Sequence, residues 1–248
     1  MKHFKFYGVL FFTAILFLFI SCGGDGSKES TSTDSTTPES TTEVGTPEVV
    51  NTIITTPQNM MVVTHKVSDF DKFKPAYDEH DSLRLVNGIH SYVIGRGIDD
   101  PNMVLVAVKC DDMAKAKAFA KDASLKKAMQ KSGVTGTPSF TFVTTVWQDT
   151  AVLNSDIHRS RTMFTVKDWD AWRTSFEEGK QERLDNGIAV RSLGHDADNN
   201  KKVFLVTALT DTAKAHAYWK SDALKKRREA GGVIGEPDRF VFRVVQRY

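Results

Sequence analysis

Two stretches of the sequence decide the fold: residues 67–89 read VSDFDKFKPAYDEHDSLRLVNGI, and residues 166–188 read VKDWDAWRTSFEEGKQERLDNGI. The second stretch starts 99 positions after the first, and the same offset continues beyond both. From Val67 to Pro138, 25 of 72 positions carry the residue that stands 99 positions later, without a gap. Identity sustained at a single offset is typical of a duplicated domain. The sequence therefore predicts two copies of one unit.

Each copy predicts the order strand, helix, strand, strand, helix, strand. Asp69 and Asp168 stand where the first helix begins, a position at which the helix dipole favours an anion. Asn87-Gly88 and Asn186-Gly187 predict its end, because glycine readily supplies the left-handed residue of a helix cap. Asp112 to Lys131 and Asp211 to Ala230 are predicted to form the second helix of each copy. In the last strand the aromatic residues predict a slip of one residue between the copies.

The order of motifs that is repeated in both copies resembles one family. It reads Val-x-Asp-aromatic-Asp-x-aromatic, then Asn-Gly-Ile, then Asp-x-Ala-Lys-Ala-x-Ala-aromatic, then Gly-Val-x-Gly-x-Pro, and it resembles the antibiotic-biosynthesis-monooxygenase-like group of dimeric α+β barrels. The resemblance covers Met61 to Tyr248. Members of that group pair sheet to sheet as homodimers. The resemblance therefore implies an α+β fold of two tandem ferredoxin-like βαββαβ units, residues 58–148 and 156–248, that form a pseudo-dimeric barrel within a monomeric chain.

Residues 1–21 have the layout of an export signal, with Lys2 and Lys5 ahead of an apolar run and a small residue at the end. The run of about 15 apolar residues is shorter than the roughly 20 that span a bilayer. Phe19 to Cys22 resembles a bacterial lipobox, which implies lipidation of Cys22 and attachment to the membrane of the cell envelope. Gly23 resembles the outer-membrane sorting pattern, so the outer membrane is expected rather than the inner. Plain secretion and an uncleaved anchor are the alternatives.

Residues 22–57 are predicted to form a disordered tether. Residues 23–57 contain 15 Ser or Thr, with six acidic residues against one lysine, and such a segment buries too little apolar surface to offset the entropy of ordering. The alternative to a plain spacer is a glycosylated stalk, suggested by Asp34-Ser35-Thr36. The whole chain carries a formal net charge of only +2, so a nucleic-acid partner is not expected.

Candidate site residues lie first on the helix that follows the first strand. Helical spacing puts Tyr77, His80 and Arg84 on one stripe of that helix. The same stripe of the second copy contains Trp172 and Arg183. His80 is interpreted either as a histidine satisfied at the core edge or as a group that faces a ligand or transfers a proton. The two arginines either form ion pairs, with Glu79 and Glu178 as expected partners, or anchor a ligand carboxylate or phenolate. Trp172 is a core aromatic or a stacking surface.

A second set lies on the strand that follows. Strict alternation puts His90, Tyr92 and Arg96 on one face of that strand, and it puts Arg191 and His195 on the same face in the second copy. If this face meets the helix, the first copy gathers these three residues and His80 around one cavity. If it faces the barrel interior or solvent, the cluster does not form. The sequence leaves this choice open.

The remaining motifs indicate little chemistry. Asp-x-Asp at the start of the first helix is explained by the helix dipole, and no metal or cofactor is predicted. Cys110 is expected to be buried and unreactive. The run Lys225 to Arg228 is interpreted as a solvated helix face.

Three functions are consistent with these observations. The first is an envelope lipoprotein that binds a small, partly apolar ligand between helix and sheet. The others are a cofactor-independent monooxygenase or isomerase, with His80 or His90 as general base, and a protein-interaction module. Whether the chain is an enzyme stays open, because the resembling group includes oxygenases, isomerases, haem-handling proteins and members without known activity. The residues expected to bind a ligand are Tyr77, His80, Arg84, Tyr92, Arg96, Trp172, Arg183, Arg191 and His195.

Overall fold

Runs of β-branched and aromatic residues dominate the strands of this protein, and they join edge to edge into a closed ring. The structure is a computed structural model that describes residues 51–248. The predicted signal segment, Cys22 and residues 22–50 of the tether lie outside the described residues. None of the described helices is long and apolar enough to cross a bilayer.

The first repeat follows a short strand, β1 (Ile53–Ile54). Its elements are β2 (Gln58–Val67), α1 (Phe70–Glu79), α2 (Asp81–Leu85), β3 (Ile89–Gly97), β4 (Met103–Cys110), α3 (Met113–Phe119), α4 (Ala123–Lys131) and β5 (Val134–Asp149). The second repeat has the same order, namely β6 (His158–Val166), α5 (Trp169–Glu178), α6 (Lys180–Asp185), β7 (Ile188–Asp196), β8 (Lys202–Leu209), α7 (Thr212–Trp219), α8 (Asp222–Ala230) and β9 (Val233–Arg247).

The strand pairing closes a barrel. Within the first repeat the order is β5-β2-β4-β3, and within the second it is β9-β6-β8-β7. These are the equivalent orders of two ferredoxin-like units. The edge strands then pair between repeats, β3 with β9 and β5 with β7, all antiparallel. The predicted α+β fold of two units in an intramolecular pseudo-dimeric barrel is confirmed.

The two repeats superimpose on a constant offset of 99 residues. Val63 of β2 lies opposite Phe140 of β5, and Thr162 of β6 lies opposite Arg239 of β9. The predicted slip in the last strand is therefore wrong. Phe140 is structurally equivalent to Arg239, and not to Phe240.

The predicted helix starts and ends are present, but each long helix is broken. Asp69 and Asp168 accept hydrogen bonds from amide groups of the first helical turn, and Gly88 and Gly187 take the expected left-handed conformation, with φ of 65° and 69°. The break falls between α1 and α2 at His80, and between α5 and α6 at Gly179. The second helices are also divided, into α3 and α4 and into α7 and α8.

The apolar side chains form an inner and an outer core. The inner core fills the barrel and includes Met60, Leu105, Phe204 and Phe242. The outer cores lie between the sheet and the helices of each repeat. A ligand can therefore be held at two kinds of place, inside the ring or beneath the helices.

The tether prediction is wrong at its end. Residues 53–54 form β1 and pair with Asp149 and Gln148 of β5. Thr52 also donates to the Asp149 carboxylate at 2.8 Å. The backbone groups of this segment thus find partners along β5, although its composition is that of the tether.

Candidate ligand-binding site

A β-bulge in each repeat decides which strand residues face the helices. The pairing of β3 with β4 shifts between Ser91 and Val93, so Tyr92 is an extra residue. In β7 the same shift makes Arg191 the extra residue. A bulge reverses the alternation beyond it. As a result Tyr92 and Arg191 line a cavity inside the barrel.

The predicted cluster of four residues around one cavity is therefore not present. His90 is exposed and pairs with Asp111 at 3.0 Å. Beyond the bulge, Arg96 lies over the ring of Phe70 at 4.3 Å and donates to the Pro101 carbonyl. The equivalent His195 packs edge to face against Trp169 at 4.9 Å. Arg96 and His195 are on the helix side of the sheet, but neither lines the helix–sheet pockets.

Equivalent pockets do lie between helix and sheet in both repeats. The pocket of the first repeat has a cavity volume of about 70 Å³, and that of the second about 100 Å³. Both are partly open to solvent. The predicted residues that line them are Tyr77, His80 and Arg84 in the first and Trp172 and Arg183 in the second.

The first pocket is apolar apart from a few satisfied groups and one histidine that the sequence analysis missed. His80 Nδ1 lies 2.6 Å from the Ala76 carbonyl. Because a carbonyl only accepts, Nδ1 carries the proton and Nε2 is left as an acceptor. His65 is buried, with 3% of its surface exposed, and neither ring nitrogen has a hydrogen-bonding partner among residues 51–248. Burial lowers its pKa to about 4, so it is neutral at pH 7.

The second pocket is more cationic than the first, although three polar residues of the first pocket, His65, Tyr77 and Ser132, are replaced by Phe164, Phe176 and Gly231. At seven equivalent positions an apolar residue of the first pocket is replaced by a polar or cationic residue of the second. The pairs are Val63 and Thr162, Ala76 and Ser175, Val108 and Thr207, Phe119 and Tyr218, Ala128 and Arg227, Met129 and Arg228, and Phe140 and Arg239. The second pocket thus contains four arginines where the first contains one.

Both repeats have an arginine at the same position, Arg84 in the first and Arg183 in the second, and these two arginines differ in their partners. Arg84 is buried and saturated: it donates to Asp81 at 2.9 Å, to the Tyr77 carbonyl at 2.7 Å and to Ser91 at 3.2 Å. This ion pair is with Asp81, so the expected pair with Glu79 is wrong.

Arg183 keeps only part of this set. It donates to the Phe176 carbonyl and lies over the Phe176 ring at 3.6 Å. The positions of the two lost partners are taken by Lys180 and Val190. Its Nε has no partner, and among the described residues no carboxylate pairs with it, so the expected pair with Glu178 is also wrong. Burial lowers the Arg183 pKa to about 10.

The other arginines of the second pocket come from α8 and β9. Arg227 is paired with Glu182 at 2.5 Å, and Arg228 with Glu236 at 3.3 Å. Arg239 lies over the Trp219 ring at 4.0 Å, and its buried Nε has no partner in the described part of the chain. Burial together with Arg228 lowers its pKa to about 10. The prediction that the run Lys225 to Arg228 is a solvated face is therefore wrong for Arg227 and Arg228.

A buried hydroxyl completes the polar lining. Tyr218 OH makes no hydrogen bond of good geometry, and burial, followed by the nearby Glu182 carboxylate, raises its pKa to about 12. It is a donor at neutral pH.

Four guanidinium groups face three carboxylates in and around the pocket, namely Glu177, Glu182 and Glu236, which leaves a net positive charge beside Trp172, Phe176 and Trp219. An anion on an aromatic or apolar frame is the chemistry that satisfies these groups.

Two other predictions concern reactive groups. Cys110 is buried as expected, and burial raises its pKa to about 11. Among residues 51–248, no three side chains of His, Cys, Asp or Glu are grouped so that they could hold a metal ion.

The fold defines a dimeric α+β barrel contained in one chain. Solved structures with the same fold include a candidate monooxygenase from Fusobacterium nucleatum subsp. nucleatum, with 13% identity, a TM-score of 0.51, and coverage of 77% of this chain and 93% of the other. An anthrone oxidase-like protein has 13% identity, a TM-score of 0.52, and coverage of 78% and 94%. A candidate chlorite dismutase has 15% identity, a TM-score of 0.50, and coverage of 77% and 96%. No family model matches the sequence, and no curated protein matches it.

Proposed function

We propose that this protein is an envelope lipoprotein whose second repeat binds a small carboxylate or phenolate carried on an aromatic or apolar frame. The observation that supports this most strongly is the divergence of the two equivalent pockets. Duplicated copies begin with the same residues, yet seven lining positions are apolar in one pocket and polar or cationic in the other. Structural requirements common to both repeats do not explain a difference confined to one.

Electrostatics gives the sign of the ligand charge. A guanidinium group that is buried without a carboxylate loses hydration that nothing replaces. Arg183 is buried and Arg239 is half-buried; neither forms an ion pair among the described residues, and each has a buried Nε–H without an acceptor there. A bound carboxylate or phenolate supplies an acceptor and a countercharge at once, and charge-assisted hydrogen bonds contribute about 1.5–3 kcal/mol each.

Size limits the ligand. Pockets for drug-sized molecules have volumes of about 300–1,000 Å³, whereas this one encloses about 100 Å³. The enclosed part therefore takes a single ring or a short chain, and the rest of a larger ligand lies at the open mouth.

The test uses benzoate and 4-hydroxybenzoate, with benzamide as an uncharged compound of similar shape. Binding is measured by titration calorimetry and by the fluorescence of Trp172 and Trp219, which line the pocket. Both anions are expected to bind and benzamide to bind at least tenfold more weakly. Equal binding of benzamide and benzoate would contradict the assignment of charge.

Two variants test the site. Arg239→Phe installs the residue of the first repeat, so the pocket keeps its packing and loses a charge; benzoate affinity is expected to fall by about 10- to 100-fold, corresponding to the loss of one charge-assisted bond. Lys226→Ala removes an exposed charge from the same region of α8, and it should change affinity less than about twofold because exposed charges are screened. If both variants lowered benzoate affinity equally, the loss would reflect general attraction between charges and not a contact in the pocket.

A second candidate function is an oxygenase in the first repeat. It is favoured by the position of His80, whose Nε2 is available as a base in a pocket that also holds Tyr77 and His65. One structure of the same fold is anthrone oxidase-like, so 1,8-dihydroxyanthrone is a suitable probe. Dioxygen uptake above the spontaneous rate, lost in His80→Gln but kept in His90→Gln, would establish this function. His90 is the appropriate control, because it is exposed and pairs with Asp111.

We also propose that Cys22 is acylated and attaches the protein to a membrane of the cell envelope. The outer membrane is favoured over the inner membrane. The support is the sequence layout around Cys22. Labelled palmitate should enter the full chain and should not enter Cys22→Ala. Incorporation that persists in the variant would contradict the proposal.

A further inference from the structure

A cavity inside the barrel lies between the two repeats. It has a volume of about 80 Å³ and is lined by both halves of the ring. Most of its lining comes as pairs of residues 99 positions apart, which places it on the pseudo-two-fold axis. These pairs are Met60 and Arg159, Tyr92 and Arg191, Val93 and Ser192, Leu105 and Phe204, Ala107 and Val206, Thr145 and Val244, and Gln148 and Arg247.

The charge in this cavity is not symmetric. Arg159, Arg191 and Arg247 all come from the second repeat, and the first repeat supplies Met60, Tyr92 and Gln148 at the matching places. Asp149 is the one carboxylate in the lining. Three guanidinium groups against one carboxylate leave two positive charges in a cavity that is partly open to solvent.

Asp149 is already engaged. It pairs with Arg191, and it accepts hydrogen bonds from Thr52 at 2.8 Å and from the Ala151 amide at 2.9 Å. Asp149 therefore compensates Arg191. Its remaining capacity for the neighbouring arginines is small.

Arg159 is the residue left uncompensated. It is 3% exposed and makes no ion pair among the described residues; its hydrogen bonds run from Nη1 to the carbonyls of Ile157 at 2.6 Å and His158 at 3.3 Å. Burial, with Arg191 and Arg247 nearby, lowers the Arg159 pKa to about 10. Arg247, half-buried, likewise lacks a carboxylate partner in the part of the chain that the structure describes.

The polar residues of the first repeat add hydrogen-bonding capacity that is not used. Gln148 is 5% exposed, its Nε2 donates to the Tyr92 hydroxyl at 2.7 Å, and its Oε1 is buried without a partner among the residues that the structure describes. The oxygen and nitrogen of an amide are assigned from their contacts. Rotation of this amide would let Tyr92 donate to Oε1 and would turn Nε2 into a free donor in the cavity.

The remaining lining is apolar. It includes five residues of the inner core, namely Met60, Val62, Leu105, Phe204 and Phe242. An inorganic oxoanion would satisfy the arginines but would leave this surface without contacts.

We propose that the barrel interior is a second site, which binds a small carboxylate with a short alkyl chain, its carboxylate held by Arg159, Arg191 and Arg247 and its chain among the inner-core residues. This site is separate from the pocket beneath the helices of the second repeat. It is built from the contact between repeats, and the duplication makes it possible because only one copy had to acquire the arginines.

The test is binding of butyrate to the full chain, measured by titration calorimetry and by the rise in melting temperature. Acetate and inorganic phosphate are the comparison probes. Butyrate is expected to bind at least tenfold more tightly than either. Phosphate binding as tight as butyrate would overturn the assignment of an alkyl chain.

Arg159→Met, which installs the residue of the first repeat, is expected to reduce butyrate affinity at least tenfold. The same variant should melt at a higher temperature than the wild type without ligand, since it removes a buried charge that lacks a countercharge. Lys226→Ala, which removes an exposed charge outside the barrel, is the control and is expected to change butyrate affinity less than about twofold. Butyrate binding that survives Arg159→Met, or that is lost in Lys226→Ala, would overturn the proposal.

Discussion

His65 makes the stability of the fold depend on pH in a way that one substitution should remove. The side chain lies in the outer core of the first repeat, edge to face with Phe73 at 5.1 Å. The equivalent Phe164 packs on Trp172 in the same manner, at 5.3 Å. His65→Phe therefore replaces a buried titratable ring by an apolar ring that the second repeat already accommodates.

The direction of the pH dependence follows from the pKa of His65. Burial depresses the His65 pKa to about 4 in the folded chain, whereas an unfolded histidine has a pKa of about 6.5. As pH falls below 6.5 the unfolded chain takes up the proton first. Stability is therefore fully present above about pH 6.5, declines between 6.5 and 4, and stops changing through this group below about 4.

The magnitude can be worked from the same two values. Between pH 7 and pH 4.5 the linkage amounts to a loss of about 2–3 kcal/mol in the free energy of unfolding. For a chain of this size that corresponds to a fall in melting temperature of roughly 5–10 °C.

Urea unfolding at pH 7 and pH 4.5 measures the effect, because the carboxylates contribute equally to wild type and variant and cancel in the comparison. His65→Phe should lose about 2–3 kcal/mol less than the wild type over this interval. His216→Gln, at an exposed position of α7, is the control and should follow the wild type. Parallel pH dependence of the wild type and His65→Phe would refute the argument, since it would mean that His65 is not kept neutral by burial.

Three further outcomes are expected. A Cβ atom at Gly194 would lie 2.4 Å from the Thr144 carbonyl oxygen, so Gly194→Ala should lower the free energy of unfolding by about 1–3 kcal/mol, and urea midpoints that match the wild type would show that β5 and β7 can separate freely. Asp69→Ala and Asp168→Ala each remove a helix N-cap; each should cost about 1 kcal/mol, and the double variant should show the sum, because the sites are far apart. The Cys110 thiol should react with Ellman's reagent only after unfolding, as followed by peptide mass spectrometry, and rapid labelling of the native chain would contradict its burial.

The fold was predictable because its signal is repeated. The offset of 99 residues can be read directly from the sequence. The two N-capping aspartates and the two Asn-Gly helix ends depend only on neighbouring residues, and the structure contains them where the sequence predicts them. The division of the long helices at His80 and Gly179 was not predictable, because a single histidine or glycine disfavours a helix without necessarily ending it.

The candidate site was only partly predictable. Helical spacing correctly brought Tyr77, His80 and Arg84 to one pocket, since their spacing is fixed by the helix itself. Strict alternation put Tyr92 on one face with Arg96, and Arg191 on one face with His195, without deciding which face it was. A bulge in each strand separates these pairs, so that Tyr92 and Arg191 line the barrel cavity while Arg96 and His195 lie on the helix side. A bulge depends on the pairing of two strands, and so a single strand sequence does not reveal it.

Two residues could have been found by a closer comparison of the repeats. His65 occupies an inward position between Val63 and Val67, where alternation already predicts burial. Arg239 was hidden by aligning the last strands on their phenylalanines. If the offset is kept at 99, Arg239 is equivalent to Phe140. The replacement of a phenylalanine by an arginine would have indicated a change of chemistry in the second repeat.

The attachment of β1 has a mechanical consequence. The chain enters the barrel at residues 51–54, where Thr52 bonds to Asp149 and Thr150 and the strand lies along β5. Tension that arrives along the chain from residues before 51 is thus first borne by this short strand, and it loads Asp149 directly. Because Asp149 also holds Arg191, a pull on the N-terminal side of the chain acts on the rim of the barrel cavity before it reaches any other part of the protein.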